Sequence, residues 1–187
     1  MCHRLLSDPR LFTFIQQIDA DAVEAMRGAR CSHCGGRLDR ADFPRKPRGL
    51  PAGVVIDHRA SFCCSTDGCR RRRTPPQLLF LPGRVYVSVA VVLVAAMRQG
   101  PSPERLARLR DVVGVDRRTV SRWLSWWRDI FPQTPAGRQV QAAISPPVDP
   151  AALPGSLLTR LHALATSPFE AVASLLRLVI QGDAVTG

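Results

Sequence analysis

Three cysteines fall within seven residues in FCCSTDGC, residues 62–69, and four arginines follow the last of them directly. A further pair lies upstream as Cys31-Ser-His-Cys34, with Gly35 and Gly36 behind it. Two thiolates at CxxC spacing grip one metal ion from a tight turn, and glycines let backbone N–H groups approach the sulfurs. The second pair of ligands must come from Cys63, Cys64 and Cys69. Strand alternation helps to choose: if Phe62 faces a small core, Cys64 faces it too and Cys63 points away. The expected ligand set is therefore Cys31, Cys34, Cys64 and Cys69 around Zn²⁺. Cys63 is the substitute for Cys64, and His33 and His58 are weaker substitutes. The 29-residue interval between Cys34 and Cys64 exceeds the common spacing of about 15–20. The competing reading is a set of unpaired buried thiols. A CxxC redox site needs a thioredoxin-like βαβ setting, which is missing around Cys31, and four thiolates leave no coordination position for a catalytic water.

The arginines point to phosphate. Arg70, Arg71, Arg72 and Arg73 are expected to leave the second knuckle together, on the outside of the metal site. A second basic strip, PRKPRG (44–49), alternates Arg45, Lys46 and Arg48 with prolines. Such strips lie in A·T minor grooves, and a plain basic surface loop has the same sequence. The third basic feature is RRTVSRWLSWWRDIF (117–131). Val120, Trp123, Leu124, Trp127 and Phe131 make its apolar stripe at helical spacing. Arg117, Arg118, Ser121, Arg122 and Ser125 are then outward. With a capped helix over about 103–112 and the turn Val113-Gly114-Val115 before it, this is the pattern of a helix–turn–helix presenting its second helix to a major groove. Arginine suits guanine O6 and N7, and serine a phosphate or base edge. An ordinary αα-hairpin with a basic face is the alternative.

The elements that must position these residues are mostly helical. Asp8-Pro9 is an N-cap followed by proline at the first helical position, opening an amphipathic helix to about Arg27. Ser102-Pro103-Glu104 repeats the signal, and Asp116 and Ser156 are candidate caps. Ser167-Pro168-Phe169-Glu170 reads as a capping box. VVIDHR and ASFCC look like two short strands. VYVSVAVVLVAAM (85–97) is apolar but short of the roughly 20 residues that cross a bilayer, so it reads as a buried core helix. The expected fold is mainly α with a small β zinc ribbon. Its segments are an N-terminal helix (1–30), the ribbon (31–83), a helix–turn–helix domain (84–131), a Pro-rich linker (132–155) and a C-terminal helical hairpin (156–187).

Composition fits a polyanionic partner. The 187 residues carry a net charge of +11, with a pI near 11.0, and Lys46 is the only lysine. A GC-rich genome explains arginine in place of lysine but not the excess of charge. Duplex DNA is the expected partner, with RNA the alternative that zinc knuckles and flanking basic residues also support. A hydrophobic fraction of 45% is enough for a packed core. No secretory signal is visible. The expected location is cytoplasmic, associated with the nucleoid, where clustered cysteines argue for metal rather than disulfides.

Taken together, CSHCGG, FCCSTDGCRRRRTPP and RRTVSRWLSWW resemble the zinc-ribbon plus helix–turn–helix front end of bacterial insertion-element proteins, over roughly residues 31–131. In those ribbons an aromatic-x-Cys strand leads to a second knuckle followed by basic residues, which Phe62-Cys63-Cys64 and Cys69-Arg70-Arg71 match. The resemblance implies a transposon accessory or regulatory protein. Its alternative is the DNA-binding front of a split transposase, with residues 156–182 docking the catalytic partner. The chain is not expected to be an enzyme. Three-carboxylate chemistry needs acids from separated elements around two Mg²⁺. After residue 131 there are only Asp149, Glu170 and Asp183, and no G-x-S-x-G, H-E-x-x-H or Walker-type loop is present.

Overall fold

A computed structural model describes residues 2–80, 86–96, 104, 107, 110, 111 and 113–183. The chain is mainly helical with a small β component, as composition and punctuation suggested. Helix α1 (Cys2–Leu6) is followed by α2 (Pro9–Arg27). Asp8 caps α2 by accepting a hydrogen bond from the Arg10 N–H at 3.0 Å, and Pro9 occupies its first turn. The buried stripe of α2 serves two places. Leu11, Phe12 and Ile15 enter the main helical core. Val23 and the half-buried Met26 enter a smaller core that contains the cysteines. The N-terminal helix is thus a shared wall and not a separate segment.

Five short strands follow: β1 (Leu38–Arg40), β2 (Phe43–Pro44), β3 (His58–Arg59), β4 (Phe62–Cys64) and β5 (Arg72–Arg73). They form an antiparallel sheet in the order β1-β4-β5 and a separate β2-β3 ladder. The expected strand in VVIDHR shrinks to its last two residues, because only His58 and Arg59 meet a partner strand, β2.

Helix α3 (Ser88–Ala95) is buried on every side. Its valines have weak helix propensity, and packing against α1 and the later helices holds them helical. Helix α4 (Arg117–Ser125) begins at the Asp116 cap, whose carboxylate accepts from the Thr119 N–H at 2.7 Å. The expected α-helix to Phe131 ends early. Trp126–Ile130 winds as a π-turn and Phe131–Gln133 as a 3₁₀ turn. Pro132 forbids regular continuation there, and the wider turn gathers Trp126, Trp127 and Phe131 with ring centroids 4.6–5.6 Å apart. The helix expected at 103–112 falls largely outside the described residues.

The expected 132–155 linker is corrected. Residues Pro135–Ala143 form α5, capped by Thr134, whose hydroxyl oxygen accepts from the Gly137 N–H at 3.0 Å. Ala136 and Val140 are buried in the main core. Gly137 is required: a Cβ there would lie 1.9 Å from the Phe131 carbonyl oxygen. Helices α6 (Gly155–Leu164) and α7 (Pro168–Asp183) make the expected hairpin. Ser156 does not cap α6, because the helix starts one residue earlier and the Ser156 hydroxyl donates to the Asp149 carbonyl. Ser167 does cap α7, accepting from the Glu170 N–H at 3.2 Å. The box stays open on its other side, since the Glu170 carboxylate takes Arg177 at 2.9 Å. Leu157, Leu158, Val172, Leu175, Leu176 and Val179 all lie in the main core.

A buried carboxylate ties the ribbon to the helices, and no local sequence pattern marks it. Asp19 of α2 is 3% exposed and accepts hydrogen bonds from the Leu78 and Leu79 N–H groups. The Ser88 hydroxyl donates to the Leu78 carbonyl from the other side. Burial pushes the Asp19 carboxyl up to about 6, against the pull of those two N–H donors. Asp19→Ala is expected to destabilise the fold by about 2–3 kcal/mol, measured by denaturant titration, because it orphans two buried donors. The raised acid constant also fixes a sign. Folded Asp19 holds its proton more tightly than the unfolded chain, so its contribution is largest below about pH 4 and falls as pH rises to about 6. Wild type should lose stability relative to Asp19→Asn across that window; a flat difference contradicts the assignment.

Candidate metal centre and basic surface

The first knuckle closes by two backbone bonds, Gly35 N–H to the Cys31 carbonyl at 2.8 Å and Cys31 N–H to the Gly36 carbonyl at 2.9 Å. Gly35 takes φ +71°, a conformation that suits glycine. Gly36 is held to glycine by space, since a Cβ would sit 2.2 Å from Thr66 Oγ1 and 3.0 Å from Cys64 Sγ. The second knuckle runs over Thr66–Cys69, with Cys69 N–H bonded to the Thr66 carbonyl at 3.1 Å. Gly68 at φ +80° and Arg70 at φ +44° reverse the chain into β5.

These turns bring Cys31, Cys34, Cys64 and Cys69 together, with all four sulfurs within 4.8 Å of one another. The Cys31–Cys69 and Cys34–Cys64 sulfurs are 3.8 and 3.4 Å apart. A tetrahedral ion with metal–sulfur bonds of about 2.3 Å requires sulfur separations of about 3.8 Å. The donor set and its spacing therefore fit one metal ion. Alternation in β4 decides between the adjacent cysteines as expected: Phe62 and Cys64 are buried, and Cys63 lies on the other face. The Cys63 thiol donates to the Arg70 carbonyl at 3.3 Å and stands apart from the cluster. His33 is exposed and His58 pairs with Asp57 at 2.9 Å, and neither belongs to the cluster.

The sulfurs do not ionise alike. The Gly36 N–H, with hydrogen bonds from Cys64, Thr66 and Cys69, brings the Cys34 thiol down to about 6. The His33 and Cys34 N–H groups lower Cys31. The Arg71 N–H also favours the Cys69 thiolate, but burial and the three neighbouring sulfurs outweigh it and push Cys69 up to about 12. Four like charges this close repel, and a divalent cation removes the conflict. The surrounding core is small: Val23, Leu38, Ala60, Phe62 and the cysteines, with Met26 beside them.

The basic residues divide. Arg70 and Arg71 are exposed beyond the knuckle. Arg72 and Arg73 belong to β5, so the four do not leave together: strand alternation turns neighbours to opposite faces. Arg72 donates to the Ala41 carbonyl at 3.0 Å and the Ser61 hydroxyl at 3.2 Å, and lies over the Phe43 ring, which gives it a structural task. Arg73 is half-buried opposite Phe62. In the second strip Lys46 and Arg48 are exposed, while Arg45 is half-buried. On α4, Arg117, Arg118, Ser121, Arg122 and Ser125 are exposed and Val120 and Trp123 are buried, as the stripe required.

Ion pairs hold several arginines elsewhere on the surface. Arg10, Arg27, Arg37, Arg40, Arg128 and Arg177 each pair with a carboxylate. Lys46, Arg48, Arg70, Arg71, Arg117, Arg118 and Arg122 make no ion pair among the described residues. No described helix is long and apolar enough to cross a membrane. Comparison with protein-family models, with curated proteins and with solved structures finds no match to this chain.

Metal analysis of the purified protein should give one ion per chain. Cys34→Ser, Cys64→Ser and Cys69→Ser should each lose it, and Cys63→Ser should keep it. Retention of a full equivalent by Cys64→Ser would show that Cys63 is the ligand.

Proposed function

We propose that this chain is a zinc-stabilised, sequence-reading duplex-DNA-binding protein, an accessory or regulator of a mobile element with no catalytic role of its own. The observation that carries the reading is the exposed set Arg117, Arg118, Ser121 and Arg122 at the capped start of α4, over a buried opposite face, with no carboxylate paired to its arginines among the described residues. A helix start of this kind enters a major groove with its first residues at the base edges. Arg117 and Arg118 would seek guanine, and Ser121 and Arg122 a base edge or phosphate. The Gly114 turn before it, at φ +66°, supports a helix–turn–helix. Four soft thiolates at tetrahedral spacing favour Zn²⁺, in a closed site whose task is structural. Beyond that site, Arg70 and Arg71 would hold phosphate, which fixes register without reading sequence. The mobile-element part rests on the likeness of the paired cysteine knuckles and basic helix to insertion-element ribbons. Leu157, Leu158, Leu175 and Leu176 of α6 and α7 are used inside the fold, and Leu164 alone among the described leucines of the two helices is exposed, so the reading does not call on this hairpin to dock a catalytic subunit.

The test is selection on random duplexes at about 0.15 M salt, where non-specific binding is strongly screened. Wild type is expected to enrich a motif of several base pairs. Arg118→Ala should relax it at one position, at a cost of about 1–3 kcal/mol in discrimination. Arg71→Ala should weaken all sequences alike and lower the salt slope by about one. Binding without a motif contradicts the reading and turns attention to RNA.

A further inference from the structure

The long interval between the two cysteine pairs carries the PRKPRG strip away from the metal site and onto the helical body. At its near end the strip is held by the β2-β3 ladder and by the Arg45 N–H bonded to the Asp57 carbonyl at 2.7 Å. At its far end the Val87 N–H donates to the Arg48 carbonyl at 2.9 Å. Gly49, at φ +85°, is wedged there: a Cβ would lie 2.8 Å from Val113 Cγ1 and 3.1 Å from the Ala90 Cβ. Tyr86 closes the joint, donating its hydroxyl to the Gly114 carbonyl at 3.0 Å and packing edge-on against Trp123, 5.2 Å between centroids. The strip is therefore seated on the turn that leads into α4. Val113 precedes Arg117 by four residues, a span of at most about 14 Å. In B-DNA a major groove about 12 Å wide adjoins a minor groove about 6 Å wide. An element seated that close to the start of a major-groove helix reaches the neighbouring minor groove.

The strip suits that groove. Pro44 and Pro47 keep it extended and narrow. Lys46 and Arg48, two residues apart, are both exposed and make no ion pair among the described residues. Narrow A·T minor grooves carry the strongest negative potential and draw such side chains in. We infer that Lys46 and Arg48 form a second DNA-reading element that enters the minor groove beside α4 and selects A·T pairs on one flank of the site. This rests on the duplex-DNA reading of α4.

The experiment uses the wild-type chain and its selected duplex, with the flanking A·T pairs replaced by G·C or by inosine·C. Inosine·C presents the A·T pattern in the minor groove and the G·C pattern in the major groove, because only guanine adds an N2 amine. Inosine·C is expected to bind like A·T, and G·C about tenfold more weakly. In Lys46→Ala/Arg48→Ala, with its metal content unchanged, the flank preference should vanish while the core motif stays. A core motif with equal binding of all three flanks, or a flank preference that survives in the double variant, overturns the inference alone. Absence of any motif overturns the DNA reading and this inference with it.

Discussion

Four sulfurs within 4.8 Å of one another are the constraint on which the ribbon depends. Its own apolar core is a handful of side chains around Phe62. So small a core offers little apolar burial to offset the ordering of the segment's backbone. A metal ion held by the four sulfurs would couple its binding to the folding of this segment. The two cysteine turns set where Arg70 and Arg71 emerge, and they bound the excursion that carries the basic strip.

The helical body depends on α3 instead. That helix is apolar all round, so neighbours must cover every face, and α1, α4 and α7 do so. Two of the connections that join body and ribbon are made by α2 and by Gly49. Helix α2 lends Ile15 to one core and Val23 to the other, with Asp19 between them holding the Leu78 and Leu79 backbone. Gly49 against Val113 is the second. The cysteine cluster, the basic strip and the start of α4 thereby share one frame, and exposed basic groups spread over distant stretches of sequence are held in register.

Much of this was legible in local signals. Asp8-Pro9 and Asp116 are caps because their carboxylates reach N–H groups two or three residues on, a strictly local matter. The choice of Cys64 over Cys63 followed from the two-residue period of a strand. What escaped was of two kinds. Thr134-Pro135 is the same start signal as Asp8-Pro9, yet the surrounding prolines read as a linker, and the buried Val140 and Ala136 show that packing prevailed. Asp19 and Gly49 act through partners about 60 residues away, and no local pattern marks such a contact. The four arginines after Cys69 form one run in the sequence, and the pairing of Arg72 with β4 that divides them is a tertiary contact with no local mark.

The central claim is that a metal-held ribbon and the α4 surface act as one duplex-DNA-binding unit. Its most direct test is the affinity of the whole chain for its selected duplex, at about 0.15 M salt, before and after metal removal by a chelator and again after Zn²⁺ is restored. The account expects affinity to fall by at least about tenfold while the helical circular dichroism signal largely remains, and to recover with Zn²⁺. Unchanged affinity in the metal-free protein would contradict it.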